Sequence, residues 1–393
     1  MTTFARYIWV TLGTFSTIAI PVACAHSSGP ETPLQEPEAP DDAAWKPIAD
    51  ADADIDAASV DAGLNACSSS GICMTPIPLE PTVSLTSVWG SSRSDVYAVG
   101  TAGTVVHYDG VRWEAAAPTV RPYNLTDDLA LRSVWLERPD DVWMAEGFVV
   151  RHTSGWKGPT ETKWEFVPTK NNYNVATVRG MGGVIWVATG YLISDFAASS
   201  FPDPLHAYTA WDGGPASEIA KPRLTAFQPT SIAMVAPSEA WAVGAKSRVF
   251  RIFATTATDA GTPVFGTPEE YDSASKRKLF GVWANERAAW LVGEGGTLRR
   301  MTTNAMATKR FEIVESPVTE ALYGVFGFSE DDVWAVGEAS TVIHWDGTSW
   351  TKLSTPFDGA VAKPRLNAVW GSSPTDIWIA GQGTMLHFEG NNP

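Results

Sequence analysis

The stretch that decides the fold is Leu85–Glu114, LTSVWGSSRSDVYAVGTAGTVVHYDGVRWE, because the chain repeats it. A near copy runs Leu322–Thr351 as LYGVFGFSEDDVWAVGEASTVIHWDGTSWT, and a third begins at Leu366 with LNAVWGSSPTDIWIAGQGTMLHFEG. Weaker copies begin at Leu131 (LRSVWLERPDDVWMAEGFVVRHTSGW), Val175 (VATVRGMGGVIWVATG), Thr230 (TSIAMVAPSEAWAVG) and Leu279 (LFGVWANERAAWLVGEGGT). One aromatic marks the register in each copy: Tyr97, Trp143, Trp186, Trp241, Trp290, Trp334 and Trp378. Seven units with separations of 46, 43, 55, 49, 44 and 44 residues match four-stranded propeller blades rather than leucine-rich or helical repeats. The expectation is an all-β, seven-bladed β-propeller with four-stranded antiparallel blades.

Within a copy the strands read directly. Thr86–Trp89 gives one, Val96–Val99 a second and Thr104–Tyr108 a third, and an Asp109-Gly110 turn leads to a fourth around Trp113. The second strand is apolar on both faces, as a blade packed between two neighbours requires. The last copy ends at Gly390-Asn391-Asn392-Pro393 without a counterpart of the strand at Trp350–Leu353. Met74–Leu79, before the first copy, is expected to supply it as an outer edge strand, where proline is tolerated. The ring is then closed by an N-terminal strand.

Composition agrees with short strands and tight turns: 18 Trp, 33 Gly and 27 Pro accompany only 18% charged residues in 393. The net charge of −16 is uneven. Residues 27–66 carry ten acids against Lys46, a net −9, and residues 1–26 carry +1 from Arg6, which leaves −8 for the remainder. Nucleic-acid binding is disfavoured, since it needs clustered Lys and Arg.

The N-terminus has a signal-peptide layout over residues 1–23: Arg6, an apolar stretch from Tyr7 to Val22, then Ala23-Cys24-Ala25. Ile20-Pro21-Val22-Ala23-Cys24 resembles a bacterial lipobox in the small residue before the cysteine, and Pro21 departs from its usual leucine. That resemblance implies lipidation at Cys24, with ordinary peptidase cleavage near Ala23 or Ala25 as the alternative. Residues 24–73 read as a disordered acidic tether rich in Ala, Asp and Pro, and residues 74–393 as the propeller. Cys67 and Cys73, without histidines nearby, are expected to pair as a disulfide in an oxidising compartment.

The Asp-Gly-x-x-Trp elements at Asp109-Gly110…Trp113 and Asp346-Gly347…Trp350 resemble part of the Asp-box of BNR-repeat propellers. The general organisation is similar to that of photosystem II assembly factor-like propellers. Both resemblances imply a fold and no activity, since Asp-boxes are turns found in sialidases and in proteins that are not enzymes.

Chemistry is sparse. His107, His152, His344 and His387 hold one repeat position in four blades, so a shared metal site is not expected, and no cofactor is. Asp95, Asp141, Asp332 and Asp376 also recur, and are read as turn-makers bonding the turn backbone rather than as catalytic carboxylates. No catalytic residue is assigned. Basic residues before the innermost strands, Arg132, Arg223, Lys278 and Arg365, are the candidate binding set, because such connections lie at the mouth of a propeller's channel. The expected function is a non-catalytic binding or scaffold module, exported and lipid-anchored in the cell envelope, with a protein or glycan partner. A BNR-type glycan hydrolase or lectin, and an assembly factor for an envelope complex, are the alternatives.

Overall fold

The computed structural model describes residues 66–116, 130–147, 149–167, 174–190, 205–209, 218–220, 224, 227–259 and 263–390. Seven antiparallel sheets form seven blades. Their inner strands are Leu85–Ser92, Leu131–Arg138, Asn174–Met181, Pro229–Ala236, Leu279–Ala284, Leu322–Ser329 and Leu366–Ser373. The first six blades run outward in chain order to a fourth strand, and blade 4 has two outer segments, Pro263–Phe265 and Glu269–Tyr271, on one strand. Among the described residues no helix is long and apolar enough to cross a membrane. The expected signal peptide, Cys24 and most of the tether lie outside the described residues.

The second strands explain the repeat. The seven marker aromatics are at most 3% exposed, and each packs onto the following blade: Trp241 against Leu279 and Val282, Trp290 against Val333 and Trp345, Trp334 against Ile377 and Phe388. Trp378 of blade 7 packs on Val96 and Trp113 of blade 1. Seven apolar clusters therefore fill the seven spaces between blades. An indole buries enough apolar area to hold such an interface.

Small polar residues at the start of the inner strands stitch neighbours together. Thr86 Oγ1 donates to the Leu131 carbonyl (2.5 Å), Thr230 Oγ1 to that of Leu279 (3.1 Å) and Asn367 Nδ2 to that of Leu85 (2.6 Å). One residue later, Ser87, Ser133 and Ser231 accept from the amides of Val134, Val178 and Val282 in the next blade. These bonds satisfy backbone groups at the bulge that interrupts each ladder there, groups costly to leave unpaired when buried.

The ring is closed by an N-terminal strand, but from earlier residues than the sequence suggests. Ile72–Met74 pairs antiparallel with Thr384–Glu389, Ile72 opposite Phe388 and Met74 opposite Leu386. Met74–Leu79 was the expected segment, and only Met74 belongs to both. Pro76 and Pro78 have no N–H to donate, whereas Ile72 is fully buried against Trp334, Leu386 and Phe388. Cys67 and Cys73 are disulfide-bonded, and the loop between them docks on blade 6, where Ser70 and Ser354 exchange amide-to-hydroxyl bonds of 2.9 Å.

The recurring aspartates have a different task from the turn-making expected of them. Asp95, Asp141, Asp332 and Asp376 accept from the Nε2 edge of His107, His152, His344 and His387 on the third strand of the same blade, at 2.6–2.9 Å. Trp143 and Trp334 add indole N–H donors, and Ser91 and Ser372 add hydroxyls. Burial works to raise the Asp376 carboxyl, and the bonds from His387 and Ser372 outweigh it and hold the group below the usual carboxylate range. Blade 4 substitutes Glu239 and Arg251 at the same two positions, paired at 2.8 Å. Turn-making falls instead to Asp109 and Asp346, whose Oδ1 atoms accept two backbone N–H bonds each beside glycines at φ of 95° and 94°. The neighbouring Thr348 hydroxyl and these amides pull the Asp346 carboxyl down to about 2.

Candidate functional site: the central channel and its mouth

The inner strands enclose a cavity of about 490 Å³ on the ring axis, lined by residues from all seven blades. That volume lies within the range of small-molecule sites. Position by position, the residue at the bulge of each inner strand rings one mouth: Thr86, Arg132, Ala176, Thr230, Phe280, Tyr323 and Asn367. The residues paired with the seven marker aromatics form a deeper belt of Trp89, Trp135, Arg179, Ala233, Trp283, Phe326 and Trp370.

Most of the belt is aromatic for a packing reason. Trp135, Trp283 and Trp370 lie across the inner strand of the following blade, where glycine makes room: a Cβ on Gly180 would fall 2.6 Å from Trp135 Cη2, one on Gly327 2.9 Å from Trp283 Cζ2, and one on Gly90 2.6 Å from Trp370 Cη2. Trp89 Nε1 donates to the Leu136 carbonyl (3.1 Å), and its ring meets Phe326 edge-on at 5.8 Å. The channel wall is thus tiled with indole.

The sequence-selected basic residues are only partly brought together. Arg132 lines the mouth, half-buried, and loss of water pushes its guanidinium down from the usual arginine value. Arg365 lies at the same mouth, donating Nε to Asn367 Oδ1 (2.8 Å) and covering the Tyr323 ring at 5.0 Å. Lys278 is exposed, and its backbone amide bonds the Glu294 carboxylate. Arg223 lies outside the described residues.

Two aromatics that the sequence reading passed over complete the surface. Tyr323 and Phe280, in adjacent blades, meet as tilted rings at 5.0 Å, so Arg365, Tyr323 and Phe280 form one continuous patch over blades 5 to 7. Tyr323 donates its hydroxyl to Glu338 (2.9 Å), and burial, then that carboxylate, push the phenol up. The available signal was positional: both follow the leucine that opens a copy, where other copies carry Thr, Asn or Arg.

No Asp, Glu or His lines the cavity among the described residues. The channel therefore offers cationic, aromatic and hydroxyl contacts and no carboxylate pair for acid–base work. Elsewhere, Asp376, His387 and Glu389 place ligand atoms within 4.8 Å of one another. Arg93 already pairs with Glu389 at 3.3 Å, and the Asp–His part repeats in three other blades, so the grouping follows from the repeat.

No protein-family model matches the chain, and no curated protein matches it. Solved structures share its fold. YCF48 bound to a D1 peptide superposes with a TM-score of 0.60 at 16% identity, covering 83% of this chain and 98% of that one. YCF48 from Cyanidioschyzon merolae gives 0.60 at 15% identity over 82% and 100%. The WD40 β-propeller domain of Doa1 gives 0.54 at 12% identity over 82% and 98%. At such identities the likeness is one of fold.

Proposed function

We propose that this propeller is a non-catalytic binding module that docks a protein partner on the channel mouth. The observation that carries the reading is the patch of Arg365, Tyr323 and Phe280, flanked by Arg132. Arginine and tyrosine dominate the energetics of protein interfaces because each joins a large flat contact area to directional hydrogen bonding. YCF48, of similar fold, has been solved with a peptide bound, which supports a peptide-bearing partner. The Asp-box likeness of the Asp109 and Asp346 turns belongs to the same reading, since both carboxylates are used in holding their turns.

The test is a capture experiment with tagged chains from the native envelope, comparing the wild type with a Tyr323→Ala/Arg365→Ala double variant. A protein retained by the wild type is expected to be lost by the double variant, with at least tenfold weaker affinity on purification, about 1.4 kcal/mol or more, and a shallower dependence on salt because a charged contact is gone. Equal retention by both would remove the mouth from the reading.

The same proposal places the module outside the cytoplasmic membrane, held by a lipid on Cys24. Its support is the apolar stretch ending at Ala23-Cys24 and the acidic, Pro- and Ala-rich composition that follows. Labelling with a palmitate analogue should mark the wild type and not Cys24→Ala. Equal labelling of both, or of neither, overturns the anchor.

A further inference from the structure

Arg179 breaks the aromatic belt. Its counterparts in blades 1, 2, 5, 6 and 7 are Trp89, Trp135, Trp283, Phe326 and Trp370, and in the adjacent blade 4 the position is Ala233. The guanidinium reaches back toward blade 2: Nη1 donates there to Ser133 Oγ (2.8 Å) and the Val134 carbonyl (3.1 Å), and in its own strand to the Val178 carbonyl (2.8 Å). It ends over the Trp89 ring of blade 1, 4.6 Å from the centroid. All of these partners are neutral, and no partner is found for Nε or Nη2 among the described residues.

An arginine drawn into a protein without a carboxylate is expensive, and Arg151, Arg248 and Arg251 each face one, in Glu146, Glu270 and Glu239. Arg299, which donates to the Ala274 and Leu298 carbonyls, shares the carboxylate-free surroundings of Arg179 but does not line the cavity. Among the described residues the only charged side chains lining the cavity are Arg179 and, at the mouth, Arg132. Burial lowers the Arg179 guanidinium to about 10, which leaves it a cation at neutral pH. A positive channel thus runs through a domain whose net charge is negative.

We propose that the channel is a receptor site for a small organic carboxylate with a flat apolar body, its carboxylate paired to Arg179. The planar fork of a guanidinium matches a carboxylate edge with two parallel N–H bonds. The flat body lies against the indole wall, in the part of the belt where Ala233 stands in place of a ring. A single deep cation suits a monoanion better than a phosphate dianion, because the second, Arg132, stands three strand positions nearer the mouth. The site lies deeper in the cavity whose mouth carries the docking patch, and its carboxylate contact, Arg179, is not part of that patch.

Calorimetric titration of the full chain with benzoate, phenylacetate and indole-3-acetate, each beside its neutral amide, tests this. At least one acid is expected to bind at least tenfold more tightly than its amide. Arg179→Met should weaken it tenfold or more, Arg179→Lys less, and Ala233→Phe, which fills the gap while leaving Arg179 intact, should also weaken it. The proposal is overturned if no acid binds below about 10 mM, if amides bind as well as acids, if inorganic phosphate binds more tightly than every acid, or if Ala233→Phe leaves the affinity unchanged. Circular dichroism of each variant monitors folding. Should Arg179→Met fail to fold, the amide comparison and Ala233→Phe still decide.

Discussion

A chain lacking residues 1–75 is expected to unfold at least 10 °C below one lacking residues 1–65, although only ten residues separate them. Those ten include Ile72–Met74, the outer strand of blade 7. Removing them strips the ladder bonds from Thr384–Glu389, exposes Leu386 and Phe388, and takes out fully buried Ile72. Losing a buried isoleucine side chain alone costs about 2–5 kcal/mol. The lost backbone pairs and the Ser70–Ser354 bonds add to that, against a total stability of about 5–15 kcal/mol for a typical domain. The bare edge would also offer a template for association, so concentration-dependent aggregation should accompany the loss. Thermal unfolding of the two chains measures the effect, and matching midpoints would show that the strand does not close the ring.

Trp290→Ala is expected to be the most damaging single substitution in the blade interfaces, at about 3–5 kcal/mol. The indole is fully buried between blades 5 and 6, edge-on to Trp350 at 5.2 Å and beside Trp345 at the same distance. It also supports Arg300, whose guanidinium lies 5.4 Å from its ring and 5.5 Å from that of Trp345. Arg300 Nε has no hydrogen-bond partner and Asp331 is 3.8 Å away, so these π-faces supply much of its stabilisation. Removing the indole opens a cavity and loosens a half-buried cation together. Trp290→Phe keeps part of the packing and should cost about 1–3 kcal/mol. Urea midpoints at fixed slope would check both, and a Trp290→Ala loss below 1 kcal/mol would mean that the interface repacks.

The blade number, strand order and marker aromatics were legible in the chain because a repeat states the same local solution seven times. Tyr97 and the six tryptophans occupy one register, and every copy needs a large apolar side chain there to fill the space against the next blade. Four histidines at one repeat position were also legible as structure rather than chemistry. Their partners were not, since an Asp twelve residues earlier, such as Asp95 for His107, becomes adjacent only when the second and third strands pair.

What only the tertiary structure decided are the positions whose meaning depends on another blade. The closing strand had to be found between Cys67 and Leu79, where alternating burial, not composition, selects Ile72 over the prolines. Phe280, Tyr323 and Arg365 lie over 40 residues apart in sequence and meet because adjacent inner strands converge at one mouth. Arg179 occupies a slot that elsewhere holds an aromatic ring, and in the chain it is one arginine among many. Only closure of the ring surrounds it with neutral acceptors and indole, and that lack of a counter-charge is a property of the enclosed space that no local pattern encodes.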